Sequence, residues 1–295
     1  MELKTMFKQK ILAAAVMAAS LIAVPAMAKV DAAEAAKLGN QLTPTGAEKA
    51  GNAAGTIPAW DGGIQKAPAC FNGGEFLCNP FPDDKPLFVI TAQNMEQYKD
   101  NLTPGQMAMM QKYPDTYKMP VYQTRRSHAV PDFVVELTKK NALEAETVGN
   151  TGLKGLNLQG YPFPIAKNGL EAIWNHIGRY RGSSLERTIG QVTPQANGAY
   201  TMVMFNDQLA VRNTLTDIQP GEFENVMFFF KQQVVAPARL AGNVLLVHET
   251  IDQVKEPRLA WLYNAGQRRV RRAPQVAYDG PGTAADGVRT SDNFD

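Results

Sequence analysis

The residues from Asn243 to Pro274, NVLLVHETIDQVKEPRLAWLYNAGQRRVRRAP, decide the fold of this chain. They combine an apolar run at 244–247, a polar break at 255–257, and two short β-like segments on either side of Asn264-Ala265-Gly266-Gln267. Asn and Gly between two such segments are typical of a tight turn, because both tolerate backbone conformations that other residues avoid. The stretch therefore predicts a strand followed by a β-hairpin.

The hairpin has two chemically different faces. Closure around Ala265-Gly266 predicts three cross-strand pairs, which are Tyr263 with Arg268, Trp261 with Val270, and Leu259 with Arg272. Because side chains alternate between the two faces of a strand, these residues share one face that is aromatic and aliphatic in its middle. The wetter, basic face carries Ala260, Leu262, Arg269 and Arg271. A bulky apolar face must be covered by a helix, another sheet or a bound ligand, so the question about function is which of these covers it.

The second half of the chain is a series of short β-like runs. They lie at residues 185–192, 200–205, 208–216, 225–235, 244–251, 258–263 and 268–272, and no helical pattern separates them. Sequential strands joined by short turn-like breaks predict an antiparallel meander. The run at 226–230 is apolar at every position, which indicates a central strand.

Helices precede these strands. The clearest one is predicted to begin after its N-cap Asn168 and to end at Gly182. Its apolar stripe, at spacings of three and four residues, consists of Leu170, Ile173, Trp174 and Ile177. Further helices are predicted at 32–38, 91–101, 103–112 and 131–145. Helices followed by an antiparallel sheet define an α+β fold.

The N-terminus has the composition of a secretory signal peptide. Three Lys at positions 4, 8 and 10 precede an apolar core at 11–24, which is followed by Pro25-Ala26-Met27-Ala28. About fourteen apolar residues are too few to span a bilayer comfortably, so we predict cleavage after Ala28. A retained membrane anchor is the alternative. No Cys follows the apolar core to carry a lipid, so the predicted product is soluble and exported.

The charge balance argues against nucleic acid as the main partner. Removal of residues 1–28 takes away three Lys and one Glu, so the 30 basic and 28 acidic residues of the chain become 27 of each. A protein that binds nucleic acid would favour a clear basic excess on one face. Only the Arg residues at 268–272 resemble a charged patch.

The mature chain is predicted to consist of an extended arm at residues 29–84, rich in Ala, Gly, Pro and Asn, and a helix-plus-sheet domain at 85–295. The arm contains the only two cysteines of the chain, Cys70 and Cys78. A disulfide is the default for such a pair in an oxidising compartment. A free pair or half of a metal site is the alternative, although a zinc site would need its other ligands from scattered positions.

Standard catalytic motifs are missing from the sequence. It contains no G-x-S-x-G, H-E-x-x-H, P-loop or G-x-G-x-x-G motif. His248 and Glu249 are neighbours on a predicted strand and point to opposite faces, so they cannot act as a pair. We therefore expect no catalytic residue, metal or cofactor. An enzyme whose site is assembled from distant residues is the alternative, because such a site leaves no local motif.

Three stretches of the chain resemble a known family. They are IPAWDGG at 57–63, GYPFPIAKNGLEAIWNHIGRYRG at 160–182 and RLAWLYNAGQRRVRRAP at 258–274. They are similar to a domain-of-unknown-function family of Gram-negative periplasmic proteins that is described as outer-membrane lipoprotein-sorting-like. The similarity runs from about Leu42 to the end of the chain. It implies that this protein lies in the periplasm.

The resemblance implies a LolA/LolB-like fold. In this fold a strongly curved antiparallel sheet forms an incomplete β-barrel, helices cover its concave face, and an apolar cavity lies between them. Family members are typically longer, with further strands after the point where this sequence stops, so C-terminal strands are expected to be missing here. Family genes often lie beside those for RND-type exporters and outer-membrane proteins, which implies traffic of hydrophobic cargo.

We therefore predict a periplasmic carrier or chaperone that holds a lipid or other hydrophobic molecule, without covalent chemistry, between the helices and the sheet. The predicted cavity residues are Trp174, Ile177, Phe228, Phe230, Leu246, Leu259, Trp261 and Tyr263. Arg268 and Arg272 are predicted to orient an anionic head group, since guanidinium groups suit phosphate and carboxylate. Alternatively, these Arg residues only keep the rim of the sheet soluble.

The alternative function is that of a non-enzymatic adaptor or structural protein. In this hypothesis the protein docks on an RND-type exporter or an outer-membrane partner. The docking surfaces would be the arm at 29–84 and the exposed Arg face of the hairpin.

Overall fold

The computed structural model describes residues 29–73, 76–219, 221–273 and 279–290. The predicted signal peptide at 1–28 lies outside these ranges. The chain divides into two compact units, one formed by Lys37–Asp132 and the other by the described residues of Met1–Ala36 and Phe133–Asp295. Within the described ranges, no helix has the length and apolar character needed to cross a membrane.

The secondary structure confirms the α+β prediction. In chain order the elements are α1 (Ala32–Ala35), β1 (Phe88–Ile90), a first 3-10 helix (Met95–Asn101), α2 (Pro104–Lys112), β2 (Met119–Val121), α3 (Asp132–Glu144), β3 (Glu146–Val148), β4 (Gly152–Lys154), α4 (Gly169–Gly178), β5 (Ser184–Val192), β6 (Met202–Val211), a second 3-10 helix (Arg212–Thr214), β7 (Val226–Ala236), β8 (Val244–Thr250), β9 (Leu259–Asn264) and β10 (Arg269–Arg272). Every predicted helix is present. Helix α2 has the predicted bounds after its N-cap Thr103, the others are shorter than predicted, and the helix predicted at 91–101 is the first 3-10 helix.

The smaller unit has a core of its own. Its buried residues are Ile90, Met95 and Met110, contributed by β1, the first 3-10 helix and α2. The N-cap of α2 is Thr103, whose hydroxyl accepts a hydrogen bond from the backbone N–H of Gln106, while the Gln106 side chain accepts one from the N–H of Thr103. This reciprocal capping box explains why the helix begins at the predicted position.

Residues 37–84 of the predicted arm lie in the smaller unit, whereas residues 29–36 lie in the larger one. Two side chains hold the arm. The Trp60 indole donates a hydrogen bond to the backbone carbonyl of His128. The Arg126 guanidinium donates to a group of backbone carbonyls, those of Glu48, Lys49, Ala50 and Pro58. These bonds satisfy backbone groups in a segment that has almost no regular structure, which is why this part of the arm packs within the smaller unit.

The larger unit is built on a six-stranded antiparallel sheet in which β5 to β10 follow one another in chain order. The predicted meander is therefore confirmed. The seven predicted runs become six strands because 200–205 and 208–216 are joined in β6. Asp207, which reads as part of a turn in the sequence, is buried in β6 and accepts hydrogen bonds from Arg187 and Gln232 at 3.1 and 3.0 Å. The sheet does not close on itself, and β5 and β10 are its edges.

The β9–β10 hairpin has a longer loop than predicted. Tyr263 lies opposite Val270 and Trp261 opposite Arg272, so the predicted pairs are wrong by two residues. The cause is a loop of residues 265–268, in which the Asn264 side chain accepts a hydrogen bond from the N–H of Gln267. A shift of two residues preserves the faces of a strand. The predicted division into an aromatic face and a basic face therefore survives the error.

Two faces of the sheet can now be defined from the strand register. The open face carries Phe229, Lys231 and Gln233 of β7, Val244, Leu246 and His248 of β8, Leu259, Trp261 and Tyr263 of β9, and Val270 and Arg272 of β10. The covered face carries Phe228, Phe230 and Gln232 of β7, Leu245, Val247 and Glu249 of β8, and Ala260 and Leu262 of β9. Ala260, predicted on the wetter face, is buried.

Helix α4 packs on the covered face. It begins at the predicted N-cap Asn168, whose side chain accepts a hydrogen bond from the N–H of Glu171, and it ends at Gly178 instead of Gly182. Trp174 is buried in the main core beside Met227, with Phe228 packed against the same cluster. The predicted stripe member Ile173 is instead 58 % exposed. Helix α4 therefore packs on the face that carries Phe228, and not on the face that carries Trp261.

Candidate functional site: a hollow on the open face of the sheet

The eight predicted cavity residues do not share one cavity. Leu246, Leu259, Trp261 and Tyr263 lie on the open face. The remaining predicted residues lie on the other side of the sheet, where Phe228 and Phe230 belong to the covered face and Trp174 and Ile177 to α4. The sheet separates the two groups, because adjacent residues of a strand point in opposite directions.

The space between α4 and the sheet is nearly filled by side chains. A cavity of about 40 Å³ lies beside Ile177, Met227 and Phe228, and another of about 20 Å³ lies beside Trp174. Volumes of this size hold one or a few water molecules. Both cavities are too small for a lipid, because the Trp174 indole and the neighbouring core residues fill the space around them.

A larger space lies on the open face. It is a hollow of about 430 Å³ lined by Lys231, Val244, Leu246, His248, Trp261, Tyr263 and Val270. Small-molecule sites commonly have volumes of about 300–1,000 Å³ and predominantly apolar walls. The hollow matches both properties, and three of the eight predicted residues, Leu246, Trp261 and Tyr263, line it.

The strand register explains how the hollow is assembled. One row of neighbouring residues crosses four strands in the order Lys231, Leu246, Trp261 and Arg272. The next row contains Val244, Tyr263 and Val270. Since paired residues of antiparallel strands stand side by side on one face, these two rows bring β7 to β10 together around one site.

An aromatic cluster adjoins the hollow and surrounds His248. The ring centroids of Phe229 and Trp261 are each 4.7 Å from the imidazole, and that of Phe223 is 5.8 Å away, all in edge-to-face arrangements. Burial among these rings lowers the pKa of His248 below its usual value, and the charge of Glu256 opposes this only in part. The His248 imidazole is therefore uncharged at neutral pH and forms part of the lining of the hollow.

The cation in the hollow is not one of those predicted. Lys231 lines it, and its ammonium group donates a hydrogen bond to the side-chain oxygen of Gln208 at 3.2 Å. Arg272 lies on the open face opposite Trp261, at the edge strand, whereas Arg268 lies in the hairpin loop with φ 51°. Sequence reasoning missed Lys231 because only the register places it beside Leu246.

The disulfide prediction is confirmed. Cys70 and Cys78 are bonded, which excludes a free pair or half of a metal site for these two residues. The bond closes a short loop in which Phe76 and Leu77 are 85 % and 88 % exposed. In the described part of the chain, no group of His, Cys, Asp and Glu side chains is arranged to hold a metal ion. A disulfide fits export to an oxidising compartment such as the periplasm.

The structure is that of an α+β protein with a largely apolar hollow on one face of an open antiparallel sheet. Residues 89–295 match the family described as "Protein of unknown function (DUF1329)", so the chain belongs to that family. It is also 62 % identical, over 281 residues, to uncharacterized protein PA3922 of Pseudomonas aeruginosa strain PAO1. That match covers 95 % of this chain and 62 % of the relative, so the chain spans less than two thirds of the relative's length. No solved structure matches this chain, and the LolA/LolB-like fold stays a prediction.

Proposed function

We propose that this protein is a periplasmic carrier or chaperone that binds a lipid or other hydrophobic molecule on the open face of its sheet. The observation that carries the proposal is the hollow of about 430 Å³ beside Leu246, Trp261 and Tyr263. In this proposal the sheet is the bent, incomplete barrel of lipoprotein-sorting proteins, and the cargo belongs to outer-membrane traffic or to an RND-type exporter.

The burial of the hollow's walls supports binding of an apolar ligand. Val244, Leu246, Trp261 and Tyr263 are only partly buried, although they are large and apolar or aromatic. Removal of apolar surface from water contributes about 25 cal/mol for each Å². A bound hydrocarbon would complete the burial of these side chains, whereas the two cavities described between α4 and the covered face have only about 40 and 20 Å³.

The polar groups of the hollow support binding over catalysis. They are the Lys231 ammonium, the His248 imidazole and the Tyr263 hydroxyl. No carboxylate lines the hollow to orient the imidazole as a general base, and the aromatic rings around His248 occupy its sides. A site with these groups can hold and orient a ligand, which is what a carrier requires.

Binding of a neutral apolar probe tests the proposal. We expect N-phenyl-1-naphthylamine to gain fluorescence on the purified protein, and native mass spectrometry to detect a co-purified hydrophobic molecule. Trp261→Ala should weaken probe binding about tenfold, because it removes the largest wall of the hollow. Leu262→Ala is the matched control, since Leu262 neighbours Trp261 but lies on the opposite face and is already exposed.

Two outcomes with the unmodified proteins would overturn the proposal, and one outcome with the variants would contradict it. One is a protein that is empty on purification and has no affinity for the probe. The other is binding by this chain but not by the longer Pseudomonas aeruginosa relative, which would show that residues outside the matched span fill the hollow. Equal weakening by Trp261→Ala and Leu262→Ala would place the probe elsewhere and would also contradict it.

A second candidate function, that of an adaptor, is favoured by the disulfide loop of the arm. Phe76 and Leu77 point into solvent from a closed loop, where exposed apolar side chains are typical of a contact surface. The partner in this hypothesis is an RND-type exporter or an outer-membrane protein. Pull-down with cross-linking should recover the partner with the wild type but not with a Phe76→Ser, Leu77→Ser double variant. Recovery of the same partners with both proteins would contradict the hypothesis.

A further inference from the structure

We infer that the ligand of the open face is an anionic amphiphile, a long hydrocarbon chain ending in a carboxylate, and that Lys231 binds its head group. The inference rests on the proposed function and names the chemical class of the ligand. It follows from the row of neighbours Lys231, Leu246, Trp261 and Arg272, in which two cations flank two apolar side chains.

From β7 to β10 the charged side chains of the open face are all cations, whereas the covered face carries both signs, Glu249 on β8 and Arg269 and Arg271 on β10. From β7 to β10 the open face carries two cations, Lys231 and Arg272, and no carboxylate. The only acidic residue of these four strands is Glu249, which lies on the covered face with Oε2 at 2.6 Å from Nε of Arg258. An apolar surface with positive charge at its ends is complementary to an apolar molecule with a negative end.

The surroundings of Lys231 leave its charge available. Its hydrogen-bond partner is the neutral amide of Gln208, and among the described residues it forms no ion pair. An ammonium group has three donors, so it can bind a carboxylate without losing Gln208. On the opposite face of the sheet, by contrast, Asp207 of β6 forms an ion pair with Arg187 of β5.

The dimensions of the row from Lys231 to Arg272 fit a hydrocarbon chain whose head group binds Lys231. Neighbouring strands lie about 4.8 Å apart, so the Cα atoms of Lys231 and Arg272 are roughly 14 Å apart across the sheet. Leu246 and Trp261 fill this interval with apolar surface. The hydrocarbon chain of the ligand would therefore lie across β8 and β9 inside the hollow. Arg272 lies on the edge strand β10, outside the residues that line the hollow.

Competition between matched sixteen-carbon probes tests the inference. Hexadecanoate, hexadecanol and hexadecyltrimethylammonium, each below its solubility limit and any micellar concentration, would displace bound N-phenyl-1-naphthylamine from the 295-residue chain. We expect hexadecanoate to bind about threefold to fivefold more tightly than hexadecanol, the range of an exposed ion pair, and the cationic probe to bind most weakly. The preference for hexadecanoate should shrink as salt is added.

Variants of Lys231 identify the head-group contact. Lys231→Met should weaken hexadecanoate about threefold to fivefold and leave hexadecanol unchanged, while Lys231→Arg should retain the preference for the acid. Lys255→Met, at an exposed lysine of the β8–β9 loop, is the matched control and should change neither.

The outcomes separate the inference from the proposed function. Equal affinities for hexadecanoate and hexadecanol, or a Lys231→Met variant that weakens both alike, would overturn the inference and leave an apolar carrier. The inference would also be overturned if neither hexadecanoate nor hexadecanol displaced the probe. Failure of the neutral probe itself to bind would instead overturn the proposed function.

Discussion

Alternate residues of the same strands form the two faces of this sheet, and the two faces are built differently. On the covered face Val247 is only 7 % exposed, and the Glu249 carboxylate is paired with Arg258. On the open face Leu246 is half-buried beside a hollow, and Lys231 has a neutral partner. The difference indicates that the covered face stabilises the fold, whereas the open face can change without unfolding the protein. Four predictions test this comparison.

The largest expected difference is between Val247 and Leu246, which are adjacent in β8. Val247→Asp should unfold the larger unit, because an unpaired carboxylate would be buried on the covered face, with a loss of more than about 4 kcal/mol in the free energy of unfolding. Leu246→Asp should remain folded, since its side chain borders open space beside Lys231, but should lose the neutral probe. Urea unfolding followed by circular dichroism measures the first effect, and probe titration the second. Equal destabilisation would contradict the comparison.

The two tryptophans of the larger unit give the next largest difference. Trp174→Ala should lower the free energy of unfolding by about 3–5 kcal/mol, because it opens a cavity in the main core. Trp261→Ala should cost roughly 1–2 kcal/mol, because part of that side chain is already in contact with water. Denaturant unfolding of both variants checks the order. A reversed order would mean that the open face contributes more to stability than the core does.

The charges of the two faces should also differ in their effect on stability. Glu249→Gln should cost about 3 kcal/mol, because it removes the carboxylate charge beside the largely buried Arg258 guanidinium. Lys231→Met should change the free energy of unfolding by less than about 0.5 kcal/mol, since Lys231 is exposed. Thermal unfolding of both variants is the measurement. A stability loss at Lys231 as large as that at Glu249 would show a structural role for this lysine.

The strand pattern of the sequence was enough to predict the meander and the chemical difference between the hairpin faces. The reason is that face assignment depends only on the alternation of side chains, so it tolerates an error of two residues in register. The loop length was not predictable, because a four-residue loop has the same Asn and Gly signal as a two-residue one. The break at Asn206-Asp207 was misread because the partners of Asp207, Arg187 and Gln232, come from other strands.

The side of the sheet that α4 covers also could not be predicted from the sequence. The run Met227-Phe228-Phe229 is apolar on both faces, so alternation cannot show which face the helix takes. For the same reason the predicted site combined residues from the two sides of the sheet. Lys231 is a further example, because it becomes a neighbour of Leu246 and Trp261 only through pairing of three strands.

The smallest expected effect is a pH dependence that belongs to the open face. The pKa of His248 is lowered in the folded protein, chiefly by burial among aromatic rings, from a usual value of 6.5. The unfolded state therefore binds the proton first as the pH falls, and this contribution to stability is complete above about pH 6.5 and declines below it. His248→Phe removes the titrating group. Lowering the pH from about 7.5 to 5.5 should therefore lower the Tm of the wild type more than the Tm of the variant. If the Tm of both proteins changed in parallel with pH, His248 would not be buried among the aromatic rings of the open face.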